Sequence, residues 1–159
     1  MTVYVECDPD TVLAETLTSG RVYHQRGKSR VCRVLERQRN CIGVMDEDPF
    51  SAQPPLITAL GKSGAVQSHT PQGIKVLRDN PNNNILVLLC PRLEEWVLSA
   101  AQEASISMDK YHLPSDPKKL HSFLSLSRRR RMDNFRRLLQ DLSDTPRIRI
   151  LRRLLEGGV

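Results

Sequence analysis

Short apolar runs alternate with longer amphipathic segments along the first hundred positions of the chain. The apolar runs are rich in Val, Ile and Leu, and they predict strands at residues 2–6, 21–24, 41–45, 74–77 and 85–89. Apolar residues at every third or fourth position, with Pro or Gly near the ends, predict helices over residues 8–19, 28–39 and 91–104. Strands that alternate with helices are typical of an α/β fold.

The short connections between these elements favour a mostly parallel sheet with helices on both faces. Residues 49–73 are rich in Pro, Gly, Ser and Gln, and they predict a long loop with one turn around Leu56–Leu60. Helical spacing predicts three more short helices, at about 117–126, 128–142 and 147–155. We therefore expect an α/β domain over residues 1–108 and a small helical extension over residues 109–159 that packs on it.

Charge divides the chain in the same way. Residues 1–109 contain 11 Lys or Arg and 13 Asp or Glu, whereas residues 110–159 contain 13 basic and 5 acidic residues. The net charge of the whole chain is +6, so the basic residues of the extension dominate. A protein with this charge is expected to have an anionic partner.

The remaining composition indicates the compartment. The four cysteines are scattered without the spacing of a metal site, which favours reduced thiols in a cytosolic protein. No apolar run approaches the roughly 20 residues that a membrane span requires. The first residues also lack the basic start of a signal peptide. We expect a cytoplasmic protein that does not bind a membrane.

Acidic residues follow two of the predicted strands directly. Glu6 ends the first strand, while Asp46 and Asp48 follow the apolar run at 42–45. The carboxyl ends of parallel strands share one edge of a sheet, so these carboxylates should meet where ligands bind in open α/β sheets. Side chains two apart in an extended segment point the same way, which allows Asp46 and Asp48 to face one ion while Glu47 points elsewhere. Clustered carboxylates repel each other unless a cation lies between them, and Mg²⁺ is the simplest such cation.

The segments Val3-Tyr4-Val5-Glu6 and 42–48 together resemble a Toprim domain. This is the Mg²⁺-binding module of topoisomerases, bacterial primases and the overcoming-lysogenization-defect nucleases. The spacing Glu6-x-x-x-Asp10 and the Asp-x-Asp motif at 46–48 are similar to the metal motifs of those nucleases. The segments at 27–31 and 93–96 resemble small stand-alone bacterial relatives. The resemblance covers about residues 2–104, and Cys7 stands where many Toprim domains have Gly.

The resemblance implies a Toprim-like or Rossmann-like fold and phosphodiester chemistry on nucleic acid that depends on Mg²⁺ or Mn²⁺, most simply that of a nuclease. The implied metal ligands are four carboxylates, those of Asp46, Asp48, Asp10 and Glu94. Glu6 would act as a general acid or base or as a further ligand, and Lys28 or Arg30 would offset charge on the phosphate. The small relatives suggest a setting in bacterial defence.

Each of these acids also has a purely structural reading. Asp46 and Asp48 can cap a turn before Pro49, and Asp10 can serve as an acidic residue at the start of a helix. Glu94 and the neighbouring Glu95 favour a helix N-terminus through the helix dipole alone. The sequence leaves both readings open.

Arginines concentrate in the extension. The candidate nucleic-acid-binding residues are Arg128, Arg129, Arg130, Arg131, Arg136 and Arg137. Phe135 and Leu138 give the same segment an apolar face, so we expect a packed amphipathic helix whose basic face can neutralise phosphates.

Three functions remain open from the sequence. The first is the metal-dependent nuclease. The second is a non-catalytic Toprim-like module that recruits a partner protein or nucleic acid through its arginine-rich helical face. The third is a flavodoxin-like or receiver-like domain, whose acids also cluster at strand ends. A larger protein partner and a homodimer are both open, as is the choice between DNA and RNA.

Overall fold

The computed structural model describes residues 1–63, 66–129 and 132–157, and for residues 67 and 68 it describes the backbone alone. Within these residues the chain forms one six-stranded sheet with α-helices on both faces. The strands are β1 (Thr2–Val5), β2 (Val22–His24), β3 (Cys41–Asp46), β4 (Val66–His69), β5 (Ile74–Asp79) and β6 (Asn84–Leu89). The helices are α1 (Asp8–Leu17), α2 (Lys28–Arg37), α3 (Pro55–Lys62), α4 (Leu93–Glu103), α5 (Pro117–Leu126), α6 (Asp133–Asp141) and α7 (Pro146–Leu155).

The strand order across the sheet is β2-β1-β3-β6-β5-β4. The pairs β1–β2, β1–β3 and β3–β6 are parallel, whereas β5 is antiparallel to β6 and β4 is antiparallel to β5. The prediction of an α/β fold with a mostly parallel sheet is therefore confirmed. Because β1 and β3 are adjacent and parallel, their carboxyl ends lie side by side.

Alternate residues of the central strands face two separate apolar layers, as the period of two in a strand requires. One layer contains Val5, Val44 and Val87 and packs against α1 and α4 to α7. The other contains Met45 and Leu88 and packs against α2 and α3. Helices thus cover both faces of the sheet, which explains why the central strands are continuous apolar runs.

Gly43 allows α2 to approach the sheet closely. A Cβ atom at this position would lie 2.8 Å from Leu35 Cδ1 and 2.8 Å from Leu86 Cδ1. Real Cβ atoms do not make contacts this short, so any side chain here would force the packed side chains of Leu35 and Leu86 to move. The position of α2 matters because its first turn borders the site described below.

The helices of the C-terminal extension share the larger apolar layer with α1 and α4. Leu120, Phe135 and Leu151 are fully buried in the same cluster as Leu13 and Trp96. Two N-terminal caps define where these helices begin: the side chain of Asp116 accepts a hydrogen bond from the backbone N–H of Lys119, and that of Thr145 accepts one from Ile148.

The structure corrects three of the predicted boundaries. The prediction of a long loop over 49–73 is wrong, because this stretch contains α3 and β4. The helix after β6 begins at Leu93 rather than at Pro91. The helix predicted from residue 128 begins at Asp133, where an acidic residue stabilises the first turn and Met132 is buried just before it.

None of the described helices is long and apolar enough to cross a membrane.

Candidate functional site

A cleft of about 510 Å³ opens at the carboxyl edge of the sheet. Its walls come from the segments after β1 and β3, the start of α4 and the exposed side of α5. Four of the predicted site residues line it, namely Glu6, Asp46, Asp48 and Glu94. Arginine, histidine and serine side chains line it as well, including Arg92, His24, His121 and Ser125.

The sequence brings the carboxylates together through the ends of two strands and the start of two helices. Glu6 directly follows β1, and Asp46 is the last residue of β3. Asp10 lies in the first turn of α1, beneath the cleft, and is only 1% exposed. Glu94 lies in the first turn of α4. The backbone N–H of Leu93 donates a 2.8 Å hydrogen bond to Asp46 Oδ1, which links the start of α4 to the end of β3.

Burial raises the pKa values of three acidic residues at this cleft. Burial raises the pKa of Asp10 well above its usual value, and the negative charges of Asp46, Glu6 and Glu94 raise it further. Burial also raises the pKa of Asp46 to about 7, against the hydrogen bond from Leu93. The pKa of Glu6 is raised by burial as well, while the nearby charge of Lys28 lowers it. In the absence of a cation, simultaneous ionisation of Glu6, Asp10 and Asp46 is therefore unfavourable.

Two buried oxygens of these carboxylates have no hydrogen-bond partner among the described residues. They are Glu6 Oε2 and Asp10 Oδ1. The other oxygen of Asp10, Oδ2, accepts a 3.1 Å hydrogen bond from the thiol of Cys7. A buried acceptor without a partner costs about 1–3 kcal/mol, so these oxygens are the natural positions for a proton or a cation.

Asp48 has a different environment from the other acids. Its two carboxylate oxygens are held by two cations, with Lys28 Nζ at 2.9 Å from Oδ2 and Arg92 Nε at 2.7 Å from Oδ1. The alternation argument does not extend to this residue, because β3 ends at Asp46 and the backbone of Asp48 is left-handed with a φ of 46°. Glu47 points away from the cleft, toward β5, where it pairs with Lys75 at 2.8 Å.

Glu94 is also engaged by a side chain. Its Oε1 lies 2.9 Å from His121 Nδ1, and the Glu94 side chain is only 6% exposed. The second ring nitrogen of His121, Nε2, lies 3.4 Å from Ser125 Oγ, one turn further along α5. Sequence analysis did not single out His121, because its partner is 27 positions away and its helix belongs to the extension. Only the α5 packing on α4 brings the two together.

Lys28 lies beside the cleft rather than in its lining. Besides its ion pair with Asp48, its Nζ donates a 3.1 Å hydrogen bond to the backbone oxygen of Glu47. The side chain is 12% exposed and joins the first turn of α2 to the segment after β3. Lys28 therefore neutralises Asp48 and fixes this segment.

The donor atoms of the cleft suit a hard cation, since they are carboxylate oxygens and two of them are unpartnered. Within residues 1–63, 66–129 and 132–157, however, no three His, Cys, Asp or Glu side chains are already arranged as the ligands of one metal ion. At this cleft, Glu6, Asp10 and Asp46 are the carboxylates that no described basic side chain pairs with. Rotation of these side chains would be part of cation binding.

The arginines predicted to bind nucleic acid fall into three groups. Arg129 and Arg136 pair with Glu15 of α1, the second at 3.5 Å. Arg128 and Arg137 are exposed. Arg130 and Arg131 lie outside the described residues. The ion pairs with Glu15 tie the segment before α6, and α6 itself, to α1.

Comparison of the chain with models of known protein families gives no match. A search of the curated proteins and one of the solved structures also give no match. The functional argument therefore rests on the residues of this chain.

Proposed function

We propose that this protein binds a divalent cation, Mg²⁺ or Mn²⁺, between Glu6, Asp10 and Asp46 and uses it to cleave phosphodiester bonds in nucleic acid. We call these three residues and Glu94 the acid cluster. The observation that carries the proposal is the pair of buried, unpartnered oxygens, Glu6 Oε2 and Asp10 Oδ1, beside a cleft of about 510 Å³. A cation would relieve both the repulsion and the missing contacts.

Each residue around the acid cluster has a function in this proposal. A bound divalent cation would polarise a phosphoryl oxygen and lower the pKa of a water molecule. Arg92 lines the cleft, and its pair with Asp48 orients its guanidinium, so it can contact the phosphate. Burial raises the pKa of Glu6, so its carboxyl group would give up any bound proton when it binds the cation. His121 lines the cleft and is oriented by Glu94, so its ring can hydrogen-bond to the substrate.

The alternative is a binding module without catalysis. It is favoured by Asp48, whose two oxygens are both neutralised, and by Glu94, which is paired with His121. Fewer free carboxylates then remain than a site for two metal ions needs. In this case the protein would recruit a partner protein or nucleic acid, and the acid cluster would be structural.

The setting of this activity is also proposed. Cys7, Cys32, Cys41 and Cys90 are unpaired, which is consistent with the cytoplasm. A larger protein partner or a second copy of the chain can complete the substrate-binding surface, and bacterial defence is the setting that the resemblance to Toprim proteins suggests.

The proposal is tested by isothermal titration of Mn²⁺ and Mg²⁺ into the wild type and Asp46→Asn. The matched control is Asp144→Asn, an exposed acid outside the cleft. We expect the wild type and the control to bind the cation and Asp46→Asn to lose binding by at least about tenfold. Binding should release protons, because the pKa of Asp46 is about 7, so the heat should depend on the buffer.

The same samples are then incubated with labelled single- and double-stranded DNA and RNA. Cleavage that requires the cation and is lost in Asp46→Asn supports the nuclease. A wild type that binds the cation but cuts none of these substrates contradicts the cleavage part of the proposal. A wild type that binds no cation and cuts none of them contradicts the whole proposal and supports the binding module.

A further inference from the structure

A row of arginines follows the solvent-facing side of α2. Arg30, Arg33 and Arg37 are exposed and are spaced three and four positions apart, so they lie on one side of the helix. The buried residues of α2, such as Val31 and Leu35, lie on the opposite side. We call these three arginines the α2 row. Its length is about 10 Å at the 1.5 Å rise per residue of an α-helix.

One acid lies near the α2 row on the same helix, the exposed Glu36, and it forms no ion pair with these arginines in the described part of the chain. None of its three arginines forms an ion pair or a side-chain hydrogen bond with a residue in the described ranges. Two arginines of the C-terminal helices are paired instead, Arg136 with Glu15 and Arg147 with Glu103. Like charges at this spacing repel each other by a few tenths of a kcal/mol per pair, so a polyanion would stabilise the row.

The row begins next to the acid cluster. The backbone N–H of Gly27, just before α2, donates a 3.0 Å hydrogen bond to the backbone oxygen of Glu6. Lys28, in the first turn, holds Asp48 at 2.9 Å. The α2 row therefore begins at the carboxyl edge of the sheet, near the cleft, and extends away from that edge along α2.

A fully exposed aromatic side chain lies in the loop that follows Asp48, the residue held by Lys28 of α2. Phe50 is 99% exposed and lies two residues after Asp48. Its loop is fixed by Gln53, whose Nε2 donates hydrogen bonds to the backbone oxygens of Glu47, Asp48 and Ser51 at 2.9–3.1 Å. An aromatic ring held in water by an ordered loop is poised to stack on a partner, because burial of such a side chain is favourable.

We propose that a single strand of nucleic acid binds with its phosphates along the α2 row and with an unpaired base stacked on Phe50. The inference rests on the proposed function, because it assigns the substrate class of the same acid cluster. Stacking on an aromatic ring requires an unpaired base, which a continuous duplex does not offer. Arginine side chains on one helix side neutralise successive phosphates without reading the sequence.

The first test measures fluorescence anisotropy of a labelled oligonucleotide of about 15 nucleotides in EDTA, so that no cleavage occurs. In the variant Arg30→Gln/Arg33→Gln/Arg37→Gln we expect at least a tenfold loss of affinity at low salt. The slope of log K against log salt should become less negative by about 2, since each phosphate contact contributes about 0.7 for a single strand. The substitution of the same residues by Lys should retain the slope.

The matched control removes the same number of charges from α7, as Arg149→Gln/Arg152→Gln/Arg153→Gln. These arginines also lack an ion pair with any residue that the structure describes. Affinity in this control should change less than about threefold at equal salt. Equal losses in both triple variants would mean that only net charge matters, and that result would overturn the assignment to α2.

The second test concerns Phe50. Phe50→Ala should weaken single-strand binding by about tenfold and leave the binding of a duplex of equal length unchanged. Val66→Ala, at an exposed apolar position on the edge strand β4, is the control and should change neither. Phe50→Trp should keep the affinity, and its emission should be quenched by the oligonucleotide, while Trp96 is fully buried and gives a constant background.

Failure of this inference differs from failure of the proposed function, because the oligonucleotide is absent from the cation titration and the cation is absent here. A wild type that binds no single strand overturns the inference whatever the cation titration shows. Single-strand binding that Phe50→Ala leaves unchanged also overturns it, and a partner protein then becomes the explanation for the exposed ring.

Discussion

Asp46 titrates near neutral pH because it is buried among other carboxylates. Its pKa is about 7 in the folded chain and near 3.8 in the unfolded chain. The folded state holds a proton that the unfolded state has lost between these values, so this contribution to stability is complete below about pH 4 and disappears as the pH rises through 7. The loss in the free energy of unfolding should be about 4 kcal/mol.

Urea unfolding in EDTA at several pH values between about 4 and 8 measures this loss. Asp46→Asn cannot ionise, and its Oδ1 can still accept the hydrogen bond from Leu93. The free energy of unfolding of this variant should therefore fall less than that of the wild type as the pH rises. Parallel curves for the two proteins would contradict the raised pKa.

Substitution by Asn should have opposite effects on stability at Asp48 and at Asp46, although the two residues belong to one Asp-x-Asp motif. Asp48→Asn removes the ion pairs with Lys28 and Arg92, and it leaves Lys28, which is 12% exposed, without its carboxylate partner. Asn tolerates the left-handed backbone at this position, so the substitution adds no strain. We expect a loss of about 1–3 kcal/mol in the free energy of unfolding near pH 8, where Asp46→Asn should instead gain stability.

Arg92→Gln is the control for this comparison. The Arg92 side chain is 49% exposed, so its pair with Asp48 should contribute at most about 1 kcal/mol. Chemical denaturation of Asp46→Asn, Asp48→Asn and Arg92→Gln in one buffer gives the sign of each change in the free energy of unfolding. A gain in stability in Asp48→Asn would show that this residue repels the acid cluster rather than neutralising cations.

At the scale of elements, the buried strands and the helices between them could be predicted from the sequence. β3 and β6 contain long apolar runs because both of their faces are covered, and such runs are distinctive. The helix predicted from its spacing at about 117–126 is α5, and the cap by Asp116 with Pro117 in the first turn explains where it begins. Adjacent strand ends then predicted that Glu6 and Asp46 would meet, as they do at the cleft.

The elements that could not be predicted depend on tertiary contacts. α3 is short and lies within a stretch rich in Pro, Gly and Ser, and only Ile57 of α3 is buried. β4 is an edge strand whose own sequence does not predict a strand, and its pairing with β5 stabilises it. The pairing of Glu94 with His121 and of Asp48 with Arg92 likewise depends on distant parts of the chain, so spacing along the sequence gave no sign of it.

At the scale of the whole molecule, the boundary between the α/β part and the basic extension crosses one continuous core. Leu120 and Phe135 are buried with Val12 and Trp96 in a single apolar cluster. α1 contacts α5, α6 and α7, and α4 contacts α5. The extension also supplies His121 and Ser125 to the wall of the cleft. We therefore expect the α/β part to depend on the extension both for its stability and for its site.

A chain that ends at residue 108 tests this dependence. Removal of the extension would expose the apolar sides of α1 and α4, and each large buried side chain that becomes exposed costs about 1.5–3 kcal/mol, so a few of them exceed the stability of an ordinary domain. We expect the fragment to lack a cooperative thermal transition and to bind a hydrophobic dye. Addition of a separate fragment over residues 109–159 should restore the transition, because the two parts form one core. Cooperative unfolding of residues 1–108 alone would instead show an independent domain.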